Sequence, residues 1–508
     1  MNPGRMLRPE LMVRGYDLPE TARELARIIS RSGAVFDRGG PCKVVLSADG
    51  GPPQAVPLSV QGVVKEAHWL ARPVKLNSEG EARAITLPER VAKLYLDPCD
   101  WGLPPLKGIT TAPLLYPDGT IYSAEGYDQQ SGLWCASVPA VSVPDQVSEE
   151  QARAALHLIR STFRTFPFAD ALMTPQRGDA PLGLDLSVPP AHDESAFLAG
   201  LLTAICRPSL PLAPGLLIAA PSISGAGTGK GKLVRAIAQI AYGIDPRALT
   251  AGCSADELEK RIGAALIAAT QVLFLDNVNG EVLRSDLLAS VLTESRVDVR
   301  LLGVSRMVPL CPNAFVAVTG NGVSLSEDLA RRFIVANLDA HMEDPESRSF
   351  PPGFAKQIAD GRSKLLAAAL AIFRWGRLND GDLKRGRPLG SFEDWGSWVR
   401  DPLFTLGCAD PVERLAAIKA NDPMRCRLTE IFETWHGIHG SKPVLLAEIA
   451  DPVVALIDPQ GRSRQLLHAG LKRLVGTHIN GFTLTSQKSA AKWSRTTYAV
   501  SKVDAGDL

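Results

Sequence analysis

The fold is decided by the stretch SGAGTGKG, which follows the apolar segment Gly215–Ala220. Its residues are Ser224, Gly225, Ala226, Gly227, Thr228, Gly229, Lys230 and Gly231. A glycine-rich turn between a buried strand and a helix presents backbone N–H groups to anionic oxygens. The lysine that ends such a turn reaches the β- and γ-phosphates of a nucleoside triphosphate. We predict that these residues bind nucleotide; taken alone, the stretch also fits a glycine-rich surface turn before a helix.

Two positions of this turn depart from the usual phosphate-binding pattern. Ser224 replaces the first glycine, and Gly231 replaces the serine or threonine that normally ligates magnesium. A second signal is Asp276, which ends the apolar run Val272–Leu275. A carboxylate at the exit of a buried strand needs a metal ion or a donor partner. We predict that Asp276 holds Mg²⁺, through water if necessary, with an ordinary loop aspartate as the alternative.

Two asparagines accompany the acidic residue. Asn277 follows Asp276 at the position where many such ATPases place a second acid. An amide cannot accept a proton. The attacking water must therefore be activated by its positioning alone, or by another carboxylate such as Glu294. Asn321 ends the apolar run Phe315–Thr319 and is the predicted sensor of the attacking water and the γ-phosphate. The alternative is a turn asparagine between two glycines.

Arg331 and Arg332 follow an amphipathic segment that contains Leu325 and Leu329. An arginine supplied to a neighbouring subunit stabilises charge on a transferring phosphoryl group. A solvated charge at a helix end is the alternative for this pair alone. Taken in order, the glycine-rich turn, the strand-end acid, the polar sensor and the arginines predict a nucleoside triphosphatase that uses ATP and Mg²⁺.

Alternating helices and apolar strands predict an α/β core, with a parallel sheet and helices on both faces. We divide the chain into a mixed α+β domain (1–145), a helical linker (146–190), the core (191–345), a helical region (346–421) and a winged-helix-like domain (422–508). Ser148 begins a predicted helix that runs to Phe163, and Ser254 begins one that runs to about Ala269. Pro117-Asp118-Gly119 predicts the turn of a hairpin, and the last domain is expected to have helices followed by a terminal hairpin. A helical region is predicted from about Pro352 to Arg377, with Leu365 to Phe373 as its apolar face.

Composition excludes several classes of protein. Of the 508 residues 45% are hydrophobic, and the net charge of +1 neither indicates nor excludes a nucleic-acid partner. The eight cysteines form no C-x-x-C pair, which argues against a disulfide framework or a zinc site. The chain has neither a signal layout nor an apolar run long enough to span a bilayer. We expect a cytoplasmic protein without a membrane partner.

With these motifs assembled, the stretch from about Asp193 to Asp339 resembles the AAA+ ATPases of superfamily 3-like, primase-associated DNA helicases of phages, plasmids and integrated elements. Val318–Asn321 followed by Asp328–Phe333 is similar to that group's sensor and arginine-finger segment, and Leu275–Asn277 is similar to its Walker B motif. The segment from Leu106 to Asp128 looks like one that precedes such cores, with no known chemistry.

The resemblance implies a homo-hexameric ring that grips single-stranded or forked DNA with a hairpin placed before the sensor strand. The candidate hairpin is Arg296–Pro309, with Arg300 and Arg306 near its tip, and a core hairpin with solvated arginines is equally compatible. Lys472, Arg473 and Arg495 belong to a basic C-terminal segment that fits a duplex-binding winged helix or a solvated face.

Replication of a mobile element, with a separate primase or initiator as partner, is the implied role. The alternatives are a non-helicase AAA+ initiator, loader or scaffold, and an inactive remnant of a nucleotide-binding fold.

Overall fold

The structure is a computed structural model. It describes residues 8–46, 51–97, 101–174, 183–250, 254–280, 282–301, 306–343, 345, 353–414, 423–458, 464–488 and 496–502. The chain divides into two compact units, and the first comprises Met1–Val323 with Arg332–Glu413. The second comprises Ser324–Arg331 with Arg414–Leu508. No helix within the described ranges is both long and apolar enough to cross a membrane. The division into five domains stays a prediction.

The N-terminal part of the first unit is built from short strands and three amphipathic helices. The helices are α1 (Leu18–Arg31), α2 (Val60–Leu70) and α3 (Glu89–Leu96). The strands are β1 (Glu10–Met12), β2 (Phe36–Asp37), β3 (Pro41–Val45), β4 (Gln54–Pro57), β5 (Arg72–Leu76), β6 (Ala82–Ala84), β7 (Gly108–Thr110), β8 (Leu114–Leu115), β9 (Ile121–Tyr122), β10 (Gly126–Asp128) and β11 (Leu133–Cys135). The sheet orders are β1-β5-β6, β2-β3-β4 and β10-β11-β7.

The hairpin predicted around Pro117-Asp118-Gly119 is present, because β8 pairs antiparallel with β9 across that turn. Gly119 has φ +86, a conformation that favours glycine. The predicted helix after Ser148 is also present as α4 (Glu149–Phe163). Ser148 caps it with its hydroxyl on the backbone N–H of Gln151, and the Gln151 side chain accepts the Ser148 N–H in return.

The core of the first unit is a five-stranded parallel sheet of the order β15-β16-β20-β14-β22. Its strands are β14 (Gly215–Ala220), β15 (Ala248–Thr250), β16 (Val272–Asp276), β20 (Phe315–Asn321) and β22 (Phe333–Asn337). The prediction of a parallel sheet is confirmed. Strands β14, β16, β20 and β22 are almost wholly buried, which explains their continuous apolar runs.

The helices of this core are α5 (His192–Cys206), α6 (Lys230–Tyr242), α7 (Ala255–Ile267) and α8 (Asp286–Thr293). Ser254 caps α7 through the backbone N–H of Glu257, as the sequence predicts. The shorter strands are β12 (Met173–Thr174), β13 (Gly183–Leu184), β17 (Val282–Leu283), β18 (Val297–Arg300) and β19 (Met307–Leu310). Strands β18 and β19 form an antiparallel hairpin before β20.

The helical region predicted from about Pro352 to Arg377 consists of two helices in the structure. Pro352 lies outside the described residues, and the remainder forms α10 (Phe354–Asp360) and α11 (Arg362–Leu378). Gly361 separates them and donates its N–H to Gln357 O, 2.9 Å away. Glycine lowers helix stability at such a position. A bent segment follows as α12 (Glu393–Trp395), a π-helical turn at Gly396–Arg400 and α13 (Asp401–Thr405).

The second unit contains β21 (Ser324–Leu325), α9 (Glu327–Ala330), α14 (Pro423–His439), β23 (Val444–Leu445), α15 (Asp451–Ile457), α16 (Arg464–Leu474), β24 (His478–Ile479), β25 (Phe482–Lys488) and β26 (Thr496–Lys502). Strands β23, β26, β25 and β24 form one antiparallel sheet. The expected order of helices followed by a terminal hairpin is present, and α15 is an additional short helix. Trp435 is fully buried in this unit's core, as a packing residue.

Candidate nucleotide site

The sheet order brings three predicted residues to one edge. Strand β20 lies between β14 and β16, and all three run parallel. Asp276 ends β16, Asn321 ends β20, and the glycine-rich turn leaves the carboxyl end of β14. Ligands of open α/β sheets bind at the carboxyl ends of the strands. The edge therefore carries the residues that an anionic nucleotide and a metal ion would meet.

The turn wraps back on itself and ends at the first residue of α6. Gly227 has φ +74 and Gly229 has φ +97, which glycine adopts without steric cost. The hydroxyl of Thr228 donates to Gly225 O at 2.9 Å. The ammonium of Lys230 donates to Gly225 O at 2.6 Å and to Thr228 Oγ at 3.3 Å. The Lys230 side chain therefore folds back over the turn. Phosphate oxygens of a bound nucleotide would replace Gly225 O and Thr228 Oγ as its hydrogen-bond acceptors.

Burial is the main influence on the charge of Lys230. The side chain is nearly buried, and desolvation lowers its pKa while the nearby Asp276 carboxylate opposes that shift. A cation held in a poorly solvated site favours an incoming anion, because the anion restores part of the lost solvation.

Asp276 is tied to the neighbouring strand by Thr319, a residue that the sequence analysis did not assign to the site. The fully buried Thr319 hydroxyl donates to Asp276 Oδ1 and accepts the backbone N–H of Asn277 at 3.4 Å. Asn277 has φ +59, which asparagine tolerates better than most residues. The hydroxyl therefore orients one carboxylate oxygen and joins the ends of the two strands.

Asn321 packs against the glycine-rich turn. A Cβ added at Gly225 would lie 2.5 Å from Asn321 Oδ1, and that oxygen is buried without a hydrogen-bond partner in the described part of the chain. The Asn321 backbone N–H donates to the side-chain oxygen of Asn279 at 2.8 Å. Asn279 was also missed, because its contact is made 42 residues away in the chain.

Substitution by alanine should be damaging at Gly225 and tolerated at Gly231. At Gly225 the new Cβ would lie 2.2 Å from Pro221 O, a backbone atom that cannot move aside cheaply. At Gly231 the nearest described atom is Asp276 Oδ1 at 4.0 Å, an ordinary contact. We expect Gly225→Ala to lose nucleotide binding and about 1–3 kcal/mol of unfolding free energy, and Gly231→Ala to retain the fold. Thermal unfolding and titration with a fluorescent ATP analogue measure both effects, and equal behaviour of the two variants would contradict this geometry.

The residues fit a nucleotide with magnesium, except at one position. Carboxylate oxygens such as those of Asp276 are ligands that Mg²⁺ prefers. Gly231 faces the same carboxylate but supplies no hydroxyl. Within the described residues no group of three or more His, Cys, Asp or Glu side chains could hold a metal by itself. A metal at this edge therefore needs ligands from phosphate and water in addition to Asp276.

The other catalytic candidates lie elsewhere. Arg331 ends α9 in the second unit, is exposed and pairs with Asp328 at 2.6 Å. Arg332 belongs to the first unit, where its carbonyl accepts the N–H of Gly215 at the amino end of β14. Glu294 is exposed beyond the end of α8, and in the described structure its carboxylate makes no hydrogen bond to Asp276.

The predicted DNA-binding arginines occupy the β18–β19 hairpin. Arg300 ends β18, is exposed and pairs in register with Met307. Arg306 is half-buried and donates to Gly39 O at 3.1 Å. The turn between them, residues 302–305, lies outside the described residues. The hairpin is confirmed as a structure, while its contact with DNA stays a prediction.

The remaining candidates, Lys472 and Arg473, are exposed in the last turn of α16. Arg495 lies outside the described residues.

The known proteins that resemble this chain are solved structures of low sequence identity. No protein-family model matches the chain, and no curated protein does. Among solved structures, two A-form apo structures of the NrS-1 C-terminal region are 11% identical and cover 94% of this chain and 99% of theirs, with TM-scores of 0.36 and 0.38. A structure of JCV helicase with a bound acetamide compound is 15% identical, covers 57% of this chain and 72% of that one, and has a TM-score of 0.21. With TM-scores this low, no structural detail of these proteins carries over to this chain.

Proposed function

We propose that the chain is an ATP-dependent DNA helicase or translocase that works as a homo-oligomeric ring on single-stranded or forked DNA. The observation that carries the ATPase part is the strand order, which gathers Lys230, Asp276 and Asn321 at one edge of the sheet. The DNA part rests on the hairpin that precedes β20. A role in replicating a mobile element, beside a separate primase or initiator, follows from the sequence resemblance.

In this proposal, the glycine-rich turn holds the triphosphate through its backbone N–H groups, and Lys230 exchanges Gly225 O for phosphate oxygens. Asp276 would hold magnesium, which when bound neutralises charge on the β- and γ-phosphate oxygens. Asn321 would orient the attacking water. Asn277 cannot accept its proton, so the chain acts by positioning and by stabilising charge rather than through a second acid at that place.

The ring part of the proposal draws on the position of Arg332. The residue lies beside Gly215, at the opposite end of β14 from the glycine-rich turn. Six strand residues span about 16 Å, too far for its side chain to reach the phosphates of its own chain. An arginine there can serve a nucleotide only on another subunit. Arg331, the neighbouring candidate, is exposed.

For DNA, Arg300 is the better placed of the two hairpin arginines, because Arg306 is already bonded to Gly39 O. Replacing Arg300 by alanine should weaken single-strand binding equally for all sequences, since a translocating loop must hold phosphates rather than bases. The logarithmic salt dependence of binding should fall by about 0.7 for one lost phosphate contact. Fluorescence anisotropy over a salt series measures the binding, and strand displacement on a forked duplex measures unwinding, which should fail.

Arg90→Ala is the matched control, because Arg90 is an exposed arginine on α3. Its unwinding should equal the parent's. If Arg300→Ala unwinds a forked duplex as well as that control does, the hairpin does not grip DNA. Lys472 and Arg473 are then the candidates for DNA binding.

A second function draws on the second unit, where helices are followed by a hairpin and Lys472 and Arg473 are exposed on α16. This element order fits a winged helix that binds duplex DNA. An initiator or loader built on such a module would bind ATP and duplex DNA without displacing a strand. Strand displacement by the parent protein therefore decides between the two functions.

A further inference from the structure

A cleft of about 650 Å³ lies between the N-terminal domain, the core and α11 in the first unit. We call it the root cleft, because residues on both sides of the β18–β19 hairpin line its base: Arg296 directly precedes β18, and Cys311 directly follows β19. Its N-terminal wall contains Lys107 and Tyr116, from the segment to which the sequence analysis attached no chemistry.

The charges in the root cleft favour an anion. Among the described residues, its lining contains the cations Lys107, Arg296 and Arg377 and one carboxylate, Asp394. Arg377 is anchored to Pro117 O, Asp380 Oδ1 and Ser397 Oγ at 3.0–3.3 Å. Lys107 and Arg296 are exposed, and in the described structure neither makes an ion pair. These two cations are available to phosphate groups.

Lys107 is held firmly by its backbone. Its N–H donates to Gly132 O at 2.8 Å, and its carbonyl accepts Arg38 Nη1 at 2.6 Å. The side chain passes close to Gly132, where an added Cβ would lie 3.2 Å from Lys107 Cγ. These contacts place the Lys107 charge at the cleft.

The floor of the cleft is also fixed. Arg207, buried and with its pKa lowered by desolvation to about 10, donates to Ala314 O, Leu210 O and Pro312 O at 2.6–3.2 Å. Asn313 packs so closely on Gly108 that an added Cβ would lie 1.9 Å from its amide nitrogen. The cleft is therefore built into the junction of the N-terminal domain and the core, and it does not depend on a loose surface loop.

An aromatic ring completes the lining. Tyr116 is half-buried, and desolvation with nearby Asp128 raises the pKa of its phenol, so the ring is neutral and does not repel phosphate. Exposed cations next to an aromatic ring are the pattern of sequence-tolerant binding to single strands, in which phosphates meet the cations and a base stacks on the ring.

A second cavity, which shares Arg296 with the root cleft, carries an excess of negative charge. It is lined by Asp256, Glu259, Asp286, Glu294 and Asp298. Those five carboxylates outnumber the cations of that lining, Lys260, Arg296 and Arg300. This lining favours a polyanion less than the root cleft does, so the charges favour a path for the strand through the root cleft at the base of the hairpin.

We propose that the root cleft holds a segment of single-stranded DNA, with its phosphates on Lys107 and Arg296 and a base against Tyr116. The proposal rests on the proposed DNA-translocating function, and it gives the N-terminal domain a direct part in binding the strand.

The test is binding of fluorescein-labelled oligothymidylate to the full chain with an ATP analogue. Lys107→Ala/Arg296→Ala should lower affinity by about tenfold or more, and should reduce the logarithmic salt slope by about 1.4 for two single-strand contacts. Tyr116→Ala should lose about tenfold through lost stacking, whereas Tyr116→Phe should bind like the parent. Oligonucleotides with iodouracil should crosslink to the peptide that contains Tyr116.

Arg90→Ala/Lys93→Ala is the control, because it removes the same charges from exposed positions on α3, outside the cleft. Thermal unfolding checks that each variant folds. If the parent binds oligothymidylate and the Lys107/Arg296 variant binds it equally, the cleft proposal fails while the proposed function stands. If the parent binds no single strand, both fail. If the variant changes particle mass but leaves the salt slope unaltered, the cleft is a subunit contact, and the proposal is overturned.

Discussion

Lys230→Ala should reduce ATP turnover by at least about a hundredfold, the loss found when a preorganised donor to a developing charge is removed. The ammonium has only Gly225 O and Thr228 Oγ as described partners, so its removal should cost little stability. Phosphate release measures turnover, and thermal unfolding verifies the fold. Turnover equal to the parent's would remove the basis of the ATPase proposal.

The pH dependence of binding gives an independent check on the same residue. Burial lowers the pKa of Lys230, so the free protein loses this charge at a lower pH than an ordinary lysine would. Phosphate binds the protonated form and raises the pKa again. We expect ATP affinity to be full at neutral pH and to fall as the pH rises through that lowered pKa, with proton uptake on binding in alkaline buffer. Calorimetry in buffers of different ionisation enthalpy detects the uptake.

Lys230→Ala subunits also test the ring. Mixed with an Arg331→Ala/Arg332→Ala variant, they should regain part of the activity, because some mixed interfaces unite an intact turn with intact arginines. Activity that depends linearly on concentration in a monomeric parent, with no gain on mixing, would rule out a shared site.

Asp276→Asn should lose magnesium-dependent turnover by about a hundredfold or more, because the carboxylate charge is removed. Asparagine keeps an oxygen that can accept the Thr319 hydroxyl, so the fold should survive. Asp276→Ala would strand that buried hydroxyl, at a cost of about 1–3 kcal/mol. Phosphate release over a magnesium series measures the loss, and nucleotide binding without magnesium should persist in Asp276→Asn.

Gly231→Ser is the companion variant, since its Cβ would stand 4.0 Å from Asp276 Oδ1. An added hydroxyl there should lower the magnesium concentration needed for half-maximal nucleotide binding. A higher requirement would place the metal away from this carboxylate.

Local signals allowed the elements of the core to be predicted from the sequence. The glycines of the turn, the Ser148 and Ser254 caps and the Asp118-Gly119 turn act within a few residues, so their geometry follows from local chemistry. The helical region from about Pro352 to Arg377 was predicted without the break at Gly361, which separates α10 from α11.

The contacts that complete the site could not be predicted, because they join distant parts of the chain. Thr319 meets Asp276 across neighbouring strands, and Asn279 meets Asn321 in the same way. Arg306 bonds to Gly39, 267 residues away in the chain. The order of the strands in the central sheet makes the first two pairs neighbours, and a single sequence does not state that order.

Strand β20 has a mechanical consequence. It is seven residues long, about 20 Å from end to end. One end packs Asn321 on the glycine-rich turn, and the other follows the hairpin and Asn313 of the root cleft. An extended strand that is hydrogen-bonded to β14 and β16 resists stretching. A displacement of Asn321 on phosphate loss would therefore be carried through β20 and its neighbours toward the base of the hairpin. ATP hydrolysis and movement of the DNA strand would then be coupled through a strand of the central sheet, without a relay of side chains.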